Sequence, residues 1–402
     1  MVGVPSSTHP SLPPSTEDER LDWLRLLRSR RVGTATFRRL LFEHGSARAA
    51  LRALPEVARA AGVDGYAPCP EGVALAEYRK GLAAGARLLA RGEPAFPALL
   101  ADSPDAPPLL WTLGDVSLLA RPTVAVVGAR NASSLGLRMA RALAQGLGEV
   151  GFVVASGLAR GIDAAAHRAS LATGTVAVMA GGVDHVYPEE NAALAAEIAL
   201  RGVRVSEHPM GMVPQARHFP SRNRIVAGLA RAVVVVEAAE RSGSLITARL
   251  GAEAGRDVLA VPGHPMDPRA AGCLLLIRDG ATLVRGVEDV LEALGDLTGD
   301  VAGGLASPVL PFDGRPPGPA RRVSAPAGPS WGASGRPEAP APADESALRA
   351  RIVERLGPSP LAEDQLIRDL GLPAQAVAPA LMDLEIEGRV LRQPGGLLAL
   401  AG

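Results

Sequence analysis

Between residues 124 and 261 short β-branched runs alternate with stretches of helical periodicity, and that alternation limits the fold more than any other feature of the chain. The runs fall at 124–127, 152–155, 175–179, 203–206, 232–236 and 257–261. A strand that is apolar on both alternating faces has to be covered on both, which a parallel sheet with helices on each side achieves. The run Ala232 to Val236, one alanine followed by four valines, is such a strand and belongs at the centre. The expected fold is therefore α/β, with a Rossmann-like doubly wound sheet as its core.

The joints between strands and helices carry the chemistry. In VAVVGARNASSLG at 124–136, Gly128 sits where a strand meets a helix, and Arg130 follows it. A glycine there lets backbone N–H groups approach a ligand, and the start of the next helix attracts an anion. An ordinary tight turn explains such a loop as well, and the three spaced glycines of a dinucleotide fingerprint are missing, since only Gly128 and Gly136 are present. The design recurs in GFVVASGLARGIDAAAHRAS at 151–170, with Ser156, Gly157, Arg160 and Gly161 in the loop. Ligands of doubly wound sheets collect at the carboxyl ends of strands, so two such loops would face one crevice. A third segment, HFPSRNRIVAG at 218–228, places Arg222, Asn223 and Arg224 beside Phe219 and reads as a further arginine loop. Repeated charge with an aromatic suits a nucleic-acid strand better than a single cofactor, because the backbone needs neutralising at several points and a base offers a face to stack on. No cofactor is expected.

Other polar groups are weaker signals. Ser242 and Ser244, in the turn that also holds Gly243 and Thr247, either bind phosphate or cap the next helix. Asp163 with His167, Asp184 with His185, and Glu237 supply acids and bases near the crevice. Without a nucleophile or metal triad beside them, Asp163 reads as a brace for its loop and His167 as bonded to neighbouring backbone.

The formal net charge is zero, so a nucleic-acid site has to be a local patch. All 42 basic residues except Lys80 are arginine, which a GC-rich genome explains without reference to function, although arginine is also the better fork for phosphate oxygens. Cys69 and Cys273 are too few for a disulfide framework and fit a reducing cytosol. The N-terminus has neither the basic nor the apolar region of a signal peptide, and no stretch is long and apolar enough to span a bilayer, so a soluble, cytoplasmic protein is expected.

The segments VGARNASSLG, SGLARGIDAAAHRA, GGVDHVYPEEN, SEHP, HFPSRNRI, VVEAAERSGSLITA, VLAVPG and LIRDGA occur in the order seen in the DNA-processing protein A family, DprA or Smf, which the chain resembles over about 120–285. The resemblance implies a cytoplasmic bacterial protein, dimeric and not an enzyme. Such a protein binds and protects single-stranded DNA and helps load the RecA recombinase during natural transformation. By the same resemblance Arg130 matches the arginine of the first phosphate loop, and Phe219, Arg222 and Arg224 match the segment lining the DNA pocket. Leu274 departs from the family's usual asparagine, which puts one polar contact in question, and Gly181 replaces a common cysteine. The main rival is a nucleotide phosphoribohydrolase of similar fold. That enzyme requires a PGGxGT loop, where this chain has only Pro262, Gly263 and His264.

The flanks divide accordingly. Residues 1–17 read as a disordered Pro/Ser-rich tail, 18–74 as a small helical domain, 75–297 as the Rossmann-like domain, 298–344 as a Pro/Gly/Ala-rich linker and 345–402 as a terminal domain. The helical domain is similar to the sterile-alpha-motif-like or helix-hairpin-helix unit at the front of the family. It lacks paired glycines for phosphate and so reads as a packing and dimerisation module, although Arg30 and Arg31 precede its turn. The segment from 75 to 120 is expected to edge the sheet, and Trp331 in the linker reads as incidental. The terminal domain resembles a winged helix. The stretch expected to be its recognition helix, 374–387, carries Asp383, Glu385 and Glu387 and no arginine or lysine, which argues for protein contact or regulation over DNA reading.

Overall fold

The structure, a computed structural model, describes residues 12–295, 345–393 and 396–401. Most of the expected tail, the linker at 298–344 and Trp331 lie outside the described residues. The N-terminal helices are α1 (Glu17–Arg28), α2 (Thr34–His44), α3 (Ala47–Ala60) and α4 (Glu71–Ala83). Thr16 starts α1 through a reciprocal capping box with Glu19. Their apolar stripes meet around Leu24, Leu26, Phe37 and Leu40, with Trp23 set edge-on against Phe37 at 5.1 Å between ring centroids.

Next come β1 (Arg87–Ala90), α5 (Ala98–Asp102) and β2 (Leu109–Gly114). Leu88, Leu109 and Trp111 from these strands belong to the same apolar cluster as the N-terminal helices. The Trp111 indole donates to Glu77 Oε1 at 2.9 Å, and a Cβ on Gly81 would lie 2.3 Å from the ring, so α4 can approach it only as glycine. The division expected at 74/75 falls inside α4, and the front module's core reaches past it onto the sheet edge.

The core alternates as read from the sequence: β3 (Thr123–Gly128), α6 (Ser134–Glu149), β4 (Val153–Ser156), α7 (Ile162–Ser170), β5 (Thr175–Val178), α8 (Ala192–Arg201), β6 (Val203–Ser206), α9 (His218–Leu229), β7 (Ala232–Val236), α10 (Gly243–Glu253), β8 (Asp257–Ala260), α11 (Ala271–Arg278), β9 (Thr282–Leu283) and α12 (Val287–Leu294). The nine strands run in the order β1-β2-β6-β5-β4-β3-β7-β8-β9. The seven from β6 to β9 are parallel, whereas β1 and β2 form an antiparallel edge, so the sheet is mixed. Each buried strand divides its side chains between two layers. Val233 and Val235 face Ile225, Ala248 and Cys273, while Val234 and Val236 face Leu137, Ala165 and Val290. Helices thus cover both faces of the sheet. After β6 the chain returns to the other side of β3 to lay down β7, which opens a crevice at the carboxyl ends of β3 and β7.

Residues 345–401 form α13 (Glu345–Arg355), β10 (Leu361–Ala362), α14 (Glu363–Leu370), α15 (Ala374–Ile386), β11 (Val390–Gln393) and β12 (Leu397–Leu400), with an antiparallel sheet in the order β10-β12-β11. This winged helix has its own core, built from Leu348, Ile352, Leu366, Leu381 and Leu384. Among the described residues no helix is long and apolar enough to cross a membrane, and both cysteines are free and buried.

His167 sits fully buried on α7 with Nδ1 2.7 Å from Thr175 Oγ1. Thr175 gives its own proton to Val154 O, so the imidazole is the donor in that bond. Burial first, then the charges of Arg222 and Arg168, pull its pKa down to about 3 from an ordinary value of 6.5. The unfolded chain therefore binds more protons between these values, and the stabilisation from neutral His167 is complete above pH 6.5 and lost as pH falls toward 3. Urea midpoints measured from pH 7 to 4 should fall, and the fall should be smaller in His167→Gln; equal slopes in the two proteins would refute this assignment.

Candidate nucleic-acid interface

The crevice is built from five segments: loop 129–133 after β3, loop 157–161 after β4, the face of α9, loop 237–242 after β7, and 261–270 after β8. Glycines allow these to meet. A Cβ on Gly128 would lie 1.9 Å from Val236 O, and one on Gly157 would lie 1.8 Å from Arg222 Nη1. Gly161 has φ +73° with Ala129 O and Arg130 O against it, and Ile162 N donates to Ala129 O at 3.2 Å, which ties the first two loops together. Gly128 and Gly157 thus allow close internal packing, and both also line the larger cavity of the crevice.

The start of α6 is also occupied. Glu237, itself at φ +55°, accepts from Ser133 N at 2.8 Å and from Ser133 Oγ. The protein's own carboxylate fills the place at this helix N-terminus where an external anion was expected. Ser156 is likewise not a ligand-facing group, because it is fully buried and its hydroxyl donates to Val126 O at 2.7 Å.

The HFPSRNR segment is helical, not a loop. Buried Arg222 lies in the floor of the crevice, donating from Nη1 to Val178 O at 3.0 Å and to Gly157 O, and from Nε to Asn223 Oδ1 at 3.1 Å. Asp163 braces the second loop as expected, accepting from Gly157 N at 3.1 Å and Ala159 N at 3.3 Å. Burial pushes the Asp163 carboxyl up and pulls the Arg222 guanidinium down, and the charge of each opposes the other's shift. Arg224 is held by Glu207 and by Asp105 O, and Asn223 Nδ2 donates to Gly243 O at 3.1 Å, joining α9 to the start of α10. Arg224 is therefore structural, a correction to its reading as a strand contact, whereas Arg222 and Asn223 are bonded within the protein and also line the larger cavity of the crevice. Ser242 caps α10 by accepting from Ser244 N.

Arg130 is exposed at the mouth of the crevice. Its guanidinium lies 5.3 Å from the centroid of the Phe219 ring, and Tyr187 leans toward the same ring at 5.6 Å. On one side of Phe219 is a cavity of about 660 Å³ lined by Arg130, Asn131, Arg241, Ser244, Thr247 and Arg269. A second, of about 200 Å³, shares Arg130 and Phe219 and adds Arg160, His185 and Tyr187. Arg160 pairs with Glu190 at 2.8 Å on the exposed rim. Arg241, Arg269 and Tyr187 were not legible as site residues. Arg241 follows the strand-end rule that identified Arg130, whereas Arg269 lies in a proline-rich turn with no such signal. This arrangement offers cations and a stacking platform in one groove, and the one carboxylate lining the larger cavity, Asp163, is satisfied from within.

Three family descriptions match the chain: "DprA-like N-terminal HHH domain" over 17–79, "DNA recombination-mediator protein A" over 87–295 and "DprA winged helix domain" over 336–396. Protein Smf of Synechocystis is 36% identical over 77% of this chain and 79% of its own length. DNA processing protein DprA of Bacillus subtilis is 44% identical over 50% of this chain and 68% of its own. The solved DNA processing protein A of Streptococcus pneumoniae superposes with a TM-score of 0.52 at 41% identity, covering 56% of this chain and 77% of that one.

Proposed function

The chain belongs to the DNA recombination-mediator protein A family, with a role in DNA recombination and processing, and from that premise we propose that its crevice binds single-stranded DNA without sequence preference. The observation that carries this reading is the placement of Arg130, Arg241 and Arg269 with Phe219 and Tyr187 around connected cavities at the switch point of the sheet. Arginines neutralise successive phosphates, and an aromatic ring stacks on any base. A duplex keeps its bases stacked inside and has no use for that ring. The protein acts as a binding protein and not as an enzyme: Asp163, the carboxylate that lines the larger cavity, is engaged by backbone donors. In this reading it covers single strands and passes them to the RecA recombinase during transformation and recombination, as a cytoplasmic homodimer. The buried free thiols suit that compartment.

Fluorescence anisotropy with labelled single-stranded and blunt duplex oligonucleotides across a salt series tests this, with a nucleotide hydrolysis assay alongside. The single strand should bind more tightly, with a log–log salt slope of about −2 for three arginine–phosphate contacts. Equal affinity for the duplex, a flat salt response or turnover of nucleotide would overturn it.

A further inference from the structure

We infer that the winged-helix domain is a reversible latch on the crevice, and that the residue it withholds, Arg269, is a further phosphate ligand. This rests on the single-strand reading above and concerns its regulation. Arg269 lines the larger cavity beside Arg130 and Arg241, yet its guanidinium is committed elsewhere. Nε donates to Asp267 Oδ1 at 3.0 Å and Nη2 to Asp267 Oδ2 at 2.9 Å, while Nη1 reaches Glu354 O at 2.6 Å and Nη2 also reaches Leu356 O at 2.8 Å. Of five N–H donors, only one remains for DNA. The two bonds to the terminal domain are the ones that undocking would release.

The same domain touches the crevice a second time. Arg355 Nη1 donates to Ala132 O at 2.8 Å, in the loop that carries Arg130. Of the polar contacts joining the two domains among the described residues, the looser Arg141–Asp369 pair at 4.0 Å is the one that lies away from the crevice. All three contacts at the rim end on backbone carbonyls. A neutral carbonyl is a weaker partner for a guanidinium than a phosphate oxygen, so an arriving strand competes for Arg269 on favourable terms.

The junction is also incompletely packed. A cavity of about 530 Å³ separates α6 and the 261–264 turn from residues 355–361, with Leu135, Met139, Val261, Val287 and Leu361 in its walls. Unfilled apolar contact weakens docking, and the separate core of the winged helix lets it move as a unit. Because the strand and the terminal domain compete for one side chain, the coupling is reciprocal: DNA opens the latch, and opening the latch strengthens DNA binding by the same factor.

The test uses the full chain, Arg355→Ala, and Arg355→Ala combined with Arg269→Ala. Each is titrated with a labelled oligo-dT, and domain separation is read independently by small-angle X-ray scattering. The expected result for Arg355→Ala is a larger radius of gyration and binding tightened about fivefold or more. The double variant should lose that gain while staying open, and oligo-dT should enlarge the wild-type chain. An open Arg355→Ala chain that binds no better than wild type overturns the latch. If the radius does not change, Asp369→Arg is added to break the remaining pair, and a chain still closed then also overturns it. Absence of oligo-dT binding in every protein, wild type included, instead refutes the single-strand reading.

Discussion

Asp163→Ala should lower the unfolding free energy by about 3–5 kcal/mol, the cost of leaving a buried cation without its counter-charge. Arg222 would keep its carbonyl partners at Val178 and Gly157 but lose the carboxylate whose charge offsets its burial. The N–H groups of Gly157 and Ala159 would lose their acceptor at the same time. Because the damage lies beneath the crevice, the loop at 157–161 should loosen as well, with faster amide exchange there. Denaturant titration of the purified variant checks this, and a midpoint within error of wild type would mean that the pair is not what holds α7 against α9. Arg222→Ala should fail in the same way, by unfolding rather than by a clean loss of binding.

Arg130→Ala is expected to do the opposite. Its side chain is exposed and lies over the Phe219 ring, so the fold should change by less than about 0.5 kcal/mol. Single-strand affinity should fall by about 1–3 kcal/mol, the value of a charge-assisted phosphate contact, which is roughly 5- to 150-fold in Kd. Arg130→Lys should recover part of the loss, since it restores the charge but not the planar fork. Titrations paired with thermal melts separate the two outcomes: a variant that melts early yet binds normally would make Arg130 structural.

These opposite expectations mark where the sequence could be read and where it could not. The strands announce themselves because Val233 to Val236 have nowhere to go but between two helical layers, and the crevice follows from where β7 returns beside β3. The antiparallel edge shows in the sequence only as proline-spaced extended pieces, since pairing with β6 is a tertiary matter. The arginines of HFPSRNR part from each other for a geometric reason. On a loop three successive polar residues can all face one ligand, but on a helix each is turned by about 100° from the last. Arg222 consequently lies in the crevice floor, held by Val178 O, while Arg224 turns away toward Glu207. Pro220 gave no warning of a loop, because proline is tolerated in the first turn of a helix. Burial decided the fate of Ser156 in the same manner, as no local pattern distinguishes the last inward residue of a strand from the first residue of its loop.

The return of β7 to the side of β3 has a consequence for the chain as it is made. Val124 and Ala232 are register partners roughly a hundred residues apart, and β2 waits almost as long for β6. At ribosomal rates of about 5–20 residues per second, the β3 edge stands unpaired for some 5–20 s after it has been synthesised. A nascent chain halted before Ala232 has neither the wall that Gly128 packs against nor the Glu237 carboxylate that fixes the Arg130 loop. Unfinished copies on the ribosome thereby lack a formed crevice, and their open valine edge is a template for unwanted strand pairing in the interval.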